Sequence, residues 1–161
     1  MIKWHYTYSD NKKYLGGVFM STRSAIGIQR KDGTIEAIYC HWDGYPSGNG
    51  EILLNHYKDV KKINKLLKLG DLSQLGENPQ SKKEFWEDST KLGNNCLAYN
   101  DRGEKTHSQV FKTYKEFKSI YKGCWCEYIY LFDVKTHKWQ VQDVYKRKPT
   151  SIEEAIQKES N

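Results

Sequence analysis

The residue types best suited to chemistry are concentrated in one short run, residues 39–45, which reads Tyr-Cys-His-Trp-Asp-Gly-Tyr. His41 supplies an imidazole that titrates near neutral pH, and Asp43 supplies a carboxylate. Trp42 and Tyr45 supply ring faces that can stack on a flat ligand. This run is therefore the predicted working site of the chain.

Two arginines complete the candidate site. Arg23 and Arg102 each present a planar guanidinium that donates paired hydrogen bonds to phosphate or carboxylate groups. The loop at 43–50 contains three glycines, so its backbone amides can approach a ligand closely. Together, the arginines, the aromatic rings and the glycine-rich loop are suited to binding a nucleotide. The predicted ligand-binding set is Arg23, His41, Trp42, Asp43, Tyr45 and Arg102.

The same run also has a purely structural interpretation. On an alternating strand, His41 and Asp43 share a face with Tyr39, whereas Cys40 and Trp42 point the other way. Cys40 and Trp42 would then belong to the core, and His41 would form a structural hydrogen bond with Asp43. Because side chains beside a glycine corner contribute little core area, we expect a substitution of His41 to reduce ligand binding more than stability.

Catalytic and metal chemistry have weaker support in the sequence. If the protein is an enzyme, His41 would act as general acid or base beside Asp43, as in a phosphodiesterase or nuclease. Cys40 and His41 are adjacent and point to opposite faces, so they cannot form a nucleophile and base pair. Cys124 and Cys126 lack the second ligand pair of a zinc site. We therefore expect a binding protein with no catalytic residue, no metal and no cofactor.

Composition limits the partners. The chain has 26 Lys and Arg against 20 Asp and Glu, and its net charge of +6 favours encounters with nucleotides, nucleic acid or acidic protein surfaces. No segment approaches the roughly 20 apolar residues that a membrane span requires, and the first residues lack the apolar run of a signal peptide. We therefore expect a cytoplasmic protein that does not engage membranes and whose four cysteines are free thiols.

The chain length of 161 residues is typical of one domain. No internal repeat is visible, and only three prolines occur, so no interdomain linker is expected. We predict one domain over residues 20–161, preceded at 1–19 by an arm or hairpin. Aromatic residues alternate with polar ones at 4–8, and two glycines follow at 16–17. We expect the domain to fold without this arm.

The elements that position the site come first in the predicted domain. Extended patterns cover 23–30 and 34–42, and the Lys-Asp-Gly turn at 31–33 predicts an antiparallel hairpin. Helical spacing of apolar residues then covers about 51–69, as one helix or as two helices broken near Asp59. The candidate site therefore lies at a corner between a strand and a helix.

The second half of the chain also contains a predicted helix and a predicted hairpin. Apolar residues predict a helix over 111–123, and the β-rich runs 125–132 and 138–145 predict a second hairpin. Residues 150–154 have capping-box spacing for a final helix. The resulting fold class is α+β, with an antiparallel sheet of four or more strands and two main helices packed on one face.

Two further predictions concern the middle of the chain and the lysines of the two main helices. Residues 71–107 are expected to be mostly irregular, with a short helix at 82–88 and a short strand at 96–99. Both main helices carry lysines at helical spacing, which are either solvated faces or surfaces for a polyanion. These lysines are Lys58, Lys61, Lys65 and Lys68 on the first helix and Lys112, Lys115, Lys118 and Lys122 on the second.

Several short motifs together resemble a family of small proteins encoded by phages and prophages of many bacteria. The motifs are MSTRS at 20–24, YCHWDGY at 39–45, LGDLS at 69–73, DRGE at 101–104 and EYIYLF at 127–132. The resemblance covers most of residues 20–145, and the chain departs from it mainly in its first 19 residues. It implies a viral origin and action in the cytosol of the host, where small viral accessory proteins often block a defence system.

These observations leave three functions open. The first is a non-enzymatic immune-evasion protein that binds and sequesters a small nucleotide defence signal, of the cyclic nucleotide or ADP-ribose type. The second is a phosphodiesterase or nuclease that degrades a nucleotide signal or a guide RNA. The third is a protein inhibitor of a host nucleic-acid-guided nuclease. A small nucleotide is the favoured partner, a host defence protein or nucleic acid is the alternative, and a homodimer with sites across a two-fold interface stays open.

Overall fold

A mixed β-sheet runs through the part of the chain that the computed structural model describes, residues 21–161. The predicted arm at 1–19 lies outside these residues. Eight strands form the sheet of the described part: β1 (Arg23–Gln29), β2 (Ile35–Cys40), β3 (Leu72–Gln74), β4 (Leu97–Ala98), β5 (Gln109–Phe111), β6 (Cys126–Asp133), β7 (Lys138–Asp143) and β8 (Thr150–Ser151). The order is β4-β3-β2-β1-β6-β7-β8, and β5 pairs with the beginning of β2.

Five α-helices of the described part surround this sheet: α1 (Glu51–His56), α2 (Val60–Leu67), α3 (Lys83–Glu87), α4 (Tyr114–Gly123) and α5 (Ile152–Glu159). A π-helical turn, Pro46–Gly50, leads directly into α1. Irregular chain and short 3-10 turns occupy much of the segment between β3 and β5. The α+β class is thus confirmed.

Both predicted hairpins are present. β1 and β2 pair antiparallel across a turn in which Gly33 adopts a φ of +88°, and β6 pairs antiparallel with β7. The sheet as a whole is not antiparallel, however, because β1 pairs parallel with β6 and β2 pairs parallel with β3. Hairpin turns fix pairing only between neighbouring strands, so the sequence pattern did not reveal how the two hairpins join.

The two main helices lie on opposite faces of the sheet rather than on one. Tyr130 and Phe132 of β6 pack in the cluster that includes α1, α2 and α5, whereas Ile129 and Leu131 pack in the cluster that includes α4. Successive strand side chains point to opposite faces, and the central strands β1 and β6 are buried on both. A strand that is apolar on both sides needs a helical layer on each of them.

Side-chain caps explain where the helices begin. Asp59 accepts a hydrogen bond from the amide of Lys62 at 2.9 Å, so the predicted helix over 51–69 is two helices broken at Asp59. The hydroxyl of Ser151 caps the amide of Glu154 at 3.2 Å and starts α5 as predicted. The predicted lysine stripes are solvent-facing on α2, and three of the four in the second stripe are exposed, with Lys118 half-buried.

Two general expectations can be compared with the described residues. The four cysteines, all of which lie in the described part, are free thiols as predicted, and Cys124 is the exposed member of the set. Among residues 21–161, no helix combines the length and the apolar character needed to cross a membrane.

Candidate functional site

The chain leaves the sheet directly after Cys40, and the corner that follows is the predicted working site. His41 and Trp42 still donate backbone hydrogen bonds to the carbonyls of Leu72 and Ser73, at 3.0 and 3.1 Å. Asp43 then adopts a φ of +57°, in the left-handed region that short polar side chains tolerate better than bulky ones. This residue turns the chain away from the direction of β2.

Gly44 brings the corner against the beginning of β1. Its amide donates to the carbonyl of Thr22 at 2.8 Å. A Cβ atom at position 44 would lie 2.7 Å from that carbonyl oxygen and 2.9 Å from the Cβ of Ser24, closer than real side chains approach. Only glycine fits here, and the close crossing holds Arg23 beside the corner.

Asn49 organises the corner from inside. Its side chain is 1% exposed, and its amide group donates to the hydroxyl of Ser24 at 3.1 Å, to the carbonyl of Trp42 at 2.9 Å and to the thiol of Cys40 at 3.4 Å. Sequence reasoning missed this role, because an asparagine among glycines is equally typical of an exposed turn. It is a buried polar residue whose amide nitrogen is hydrogen-bonded, and it ties three segments together.

The backbone amides of the loop are not open to a ligand as the sequence suggested. The amides of Gly48 and Asn49 donate to carbonyls of the same loop, at 2.9 and 2.7 Å. The amide of Ser47 donates to the carboxylate of Glu159 on α5 at 2.8 Å. Because Gly44 is also bonded, the glycine-rich loop serves internal structure, and ligand binding must come from side chains.

His41 is an interior residue. It is 5% exposed, its Nδ1 lies 2.8 Å from the hydroxyl of Tyr39, and its ring meets Trp42 edge-on at 4.8 Å. The bond to Asp43 that alternation suggested is replaced by the bond to Tyr39, because β2 ends at Cys40 and Asp43 turns away. Asp43 instead lies 3.4 Å from the hydroxyl of Tyr45, an exposed side chain. The expectation that His41 contributes little to the core is wrong.

Burial also determines the protonation states of this corner. Desolvation, together with the positive charge of Arg23, lowers the pKa of His41 to about 4, so the imidazole is neutral at pH 7. Burial raises the pKa of Cys40 to about 12, which keeps it a thiol. Burial likewise raises the pKa of the Tyr39 hydroxyl above its ordinary value. Tyr39, Cys40 and His41 are therefore neutral groups beside the guanidinium of Arg23.

A second cluster, which we call the Arg102 platform, consists of Arg102, Trp86 and Tyr99. The guanidinium carbon of Arg102 lies 4.5 Å from the ring centre of Trp86 and 5.1 Å from that of Tyr99. Trp86 is fixed by a bond from its indole nitrogen to the carbonyl of Ala98 at 2.9 Å. Glu104 accepts from Nε and Nη2 of Arg102, at 3.0 and 2.5 Å, and orients the guanidinium.

The platform borders an open depression of about 590 Å³. Its lining consists of Trp86, Asn100, the turn at Gly103, whose φ is +96°, two cations, Lys83 and Arg102, and two carboxylates, Glu87 and Asp101. Of the five N–H groups of a guanidinium, Glu104 takes two, which leaves donors for an anionic ligand.

Asp71 lies between the two clusters. Its carboxylate accepts from the amide of Tyr39 at 2.9 Å, and its carbonyl accepts from the amide of Tyr99 at 3.1 Å. Burial raises the pKa of Asp71, although the Tyr39 amide and the charge of His107 act in the opposite direction. The corner and the platform are therefore built around one shared residue of the LGDLS motif.

The predicted ligand-binding residues thus fall into two groups. Arg23 and Trp42 lie beside His41, and Asp43 and Tyr45 continue the same loop. Arg102 belongs to the platform. The sequence did not indicate Trp86 and Tyr99, because their meeting depends on the irregular fold of residues 71–107. Within residues 21–161 there is no group of three or more His, Cys, Asp or Glu side chains suited to a metal ion.

Comparisons with protein families, with curated proteins and with solved structures give no match to this chain.

Proposed function

We propose that this protein is a phage-encoded immune-evasion protein that binds and sequesters a small nucleotide defence signal in the cytosol of the host. The signal would be a cyclic nucleotide or an ADP-ribose-type molecule. The resemblance of residues 20–145 to small phage and prophage proteins supports the viral part of the proposal. The site chemistry supports the nucleotide part.

The observation that carries the proposal is the Arg102 platform. A nucleotide has a flat base and a charged phosphate, and it needs a ring face and a fixed cation at one place. Arg102 is held over the ring of Trp86 at 4.5 Å, beside a depression of about 590 Å³, so its planar guanidinium offers both a flat face and paired donors to a ligand. Arg23 at the corner supplies a second cation and stays in the proposed ligand-binding set with Tyr45.

Binding without cleavage fits the state of His41 better than hydrolysis does. A general base must reach the proton that it removes and have a pKa near the working pH. His41 is buried, is bonded to Tyr39 and has a pKa lowered to about 4. Sequestration by side-chain contacts does not require His41 to be exposed, to leave Tyr39 or to take up a proton.

The direct test is to identify small molecules that leave the purified protein on denaturation, using mass spectrometry, and then to incubate fresh protein with a panel of cyclic nucleotides and ADP-ribose derivatives. We expect one nucleotide to be bound and recovered intact. Recovery of cleavage products would replace the proposal with a phosphodiesterase. A protein that retains none of the panel, while it still binds and inhibits a host nuclease, would refute nucleotide sequestration.

A further inference from the structure

A second surface, richer in positive charge than the candidate site, lies on α4 and on the turn after β7. It carries five cations on described residues, Lys118, Lys122, Lys146, Arg147 and Lys148. Two aromatic side chains lie among them, Trp125 at 76% exposure and Tyr145 at 71%. We call these seven residues the basic aromatic surface.

Contacts within the surface show that it is continuous. The ammonium of Lys122 lies over the ring of Tyr145, 5.1 Å from its centre. The ammonium of Lys118 donates to the carbonyl of Lys146 at 3.0 Å, and the amide of Trp125 donates to the carbonyl of Lys122 at 3.1 Å. Helix α4 and the turn after β7 are therefore adjacent, and Lys146 and Lys148 of that turn also border a depression beside α5.

One of these cations is paired with a carboxylate. Asp143 accepts from the amide of Tyr145 at 2.9 Å and lies 3.7 Å from the ammonium of Lys146. Glu116, also on α4, accepts from the amide of Lys112 at 3.0 Å. The five cations outnumber these two carboxylates, and their excess positive charge attracts polyanions in water over about one Debye length.

Trp125 is held in an unusual way. Its φ is +64°, a conformation that bulky side chains rarely adopt and that costs roughly 1–2 kcal/mol. Most residues with this backbone are glycines in turns, and an exposed tryptophan gains no core packing in return. Trp125 directly follows Cys124, the C-cap of α4, where a left-handed residue is a common way for a helix to end, so the exposed ring itself is the feature available to a ligand.

We propose that the basic aromatic surface binds single-stranded nucleic acid, independently of the nucleotide site. Cations that follow a phosphate backbone, with exposed rings on which unpaired bases stack, are the two requirements of single-strand binding. A duplex would satisfy only the cations, because its bases are already stacked. An acidic protein surface would likewise leave Trp125 and Tyr145 without a base to cover them.

The test is fluorescence anisotropy of labelled twelve-nucleotide single-stranded RNA and DNA, a duplex of the same length and an acidic peptide, at several salt concentrations. Trp125→Ala should weaken single-strand binding about tenfold and leave the salt dependence unchanged, since stacking carries no charge. The triple variant Lys146→Ala, Arg147→Ala and Lys148→Ala should also reduce the slope of log affinity against log salt by about 2.

A matched control removes the same charge from the other basic stripe. The variant Lys58→Ala, Lys61→Ala and Lys65→Ala should bind single strands within twofold of the parent, because these exposed side chains lie on the α2 side of the sheet. All variants replace exposed residues and should melt like the parent. Equal losses from both triple variants, tighter binding of duplex or of acidic peptide, or full affinity in Trp125→Ala would each overturn the proposal.

Discussion

The His41 corner and the basic aromatic surface use the same residue types in opposite ways. Each places a cation beside aromatic rings, Arg23 with His41 in one case and Lys122 with Tyr145 in the other. His41 is 5% exposed, whereas Tyr145 is 71% exposed. In the corner, polar groups are satisfied by other parts of the fold, and on the surface they face water.

This difference determines whether a substitution changes stability or ligand binding. A buried polar group that loses its partner costs roughly 1–3 kcal/mol of stability, whereas an exposed charge contributes little to folding. Changes in the corner should therefore unfold the protein before they reveal a binding role. Changes on the surface should affect binding alone.

The largest effect is expected from Gly44→Ala. The added methyl group would lie 2.7 Å from the carbonyl oxygen of Thr22, and the backbone of β1 cannot move aside. We expect a loss of about 3 kcal/mol in the free energy of unfolding, measured by urea denaturation. Gly123→Ala is the control, because nothing lies within 4 Å of a Cβ there. Equal stability of the two variants would show that the corner is not tightly packed.

A smaller change in the free energy of unfolding is expected when the pH is lowered. The pKa of His41 is about 4 in the folded protein and 6.5 when unperturbed, so folding disfavours the protonated imidazole. Its contribution to stability is fully present above pH 6.5 and is lost as pH falls toward 4, and the full difference between the two pKa values corresponds to about 3 kcal/mol.

The measurement compares the parent with His41→Gln by urea denaturation at pH 7.5 and 4.5. The parent should lose about 2 kcal/mol more than the variant between these values, since glutamine has no proton to take up. The same pH dependence in both proteins would mean that His41 is not buried as described.

The smallest change in stability is expected at Trp125, which belongs to the basic aromatic surface. Trp125→Gly and Trp125→Ala both remove the exposed ring, but only glycine adopts a φ of +64° without strain. We expect the glycine variant to be more stable than the alanine variant by about 1 kcal/mol in thermal unfolding. If alanine is the more stable of the two, the positive φ stores no strain.

Local signals in the sequence were enough to predict the hairpins and most helix boundaries. Gly33 marked the first turn, Asp59 and Ser151 marked helix starts, and alternation marked the strands. The parallel pairing of β1 with β6 was not predictable, because it joins segments that are distant in sequence and no turn fixes their register. The placement of α4 on the second face depends on that pairing.

The position of the candidate site could be predicted from the sequence, but the burial and the contacts of its residues could not. Residues 39–45 do form a corner between a strand and a helical turn. The alternation of side chains that a strand would give does not continue to Asp43, because this residue adopts a positive φ. The burial of His41 depends on the surrounding fold. The meeting of Trp86 with Tyr99 and Arg102 required the three-dimensional course of an irregular segment, which periodicity cannot give.

Calorimetric titration of the recovered nucleotide, or of ADP-ribose and cyclic dinucleotides if none is recovered, tests the proposed binding site most directly. Arg102→Ala should bind ten- to a hundredfold more weakly than the parent, since a charge-assisted hydrogen bond contributes about 1.5–3 kcal/mol. Lys91→Ala, which also removes one exposed positive charge, should bind within twofold. Both variants should keep the melting temperature of the parent. Parental affinity in Arg102→Ala would contradict nucleotide binding at the platform.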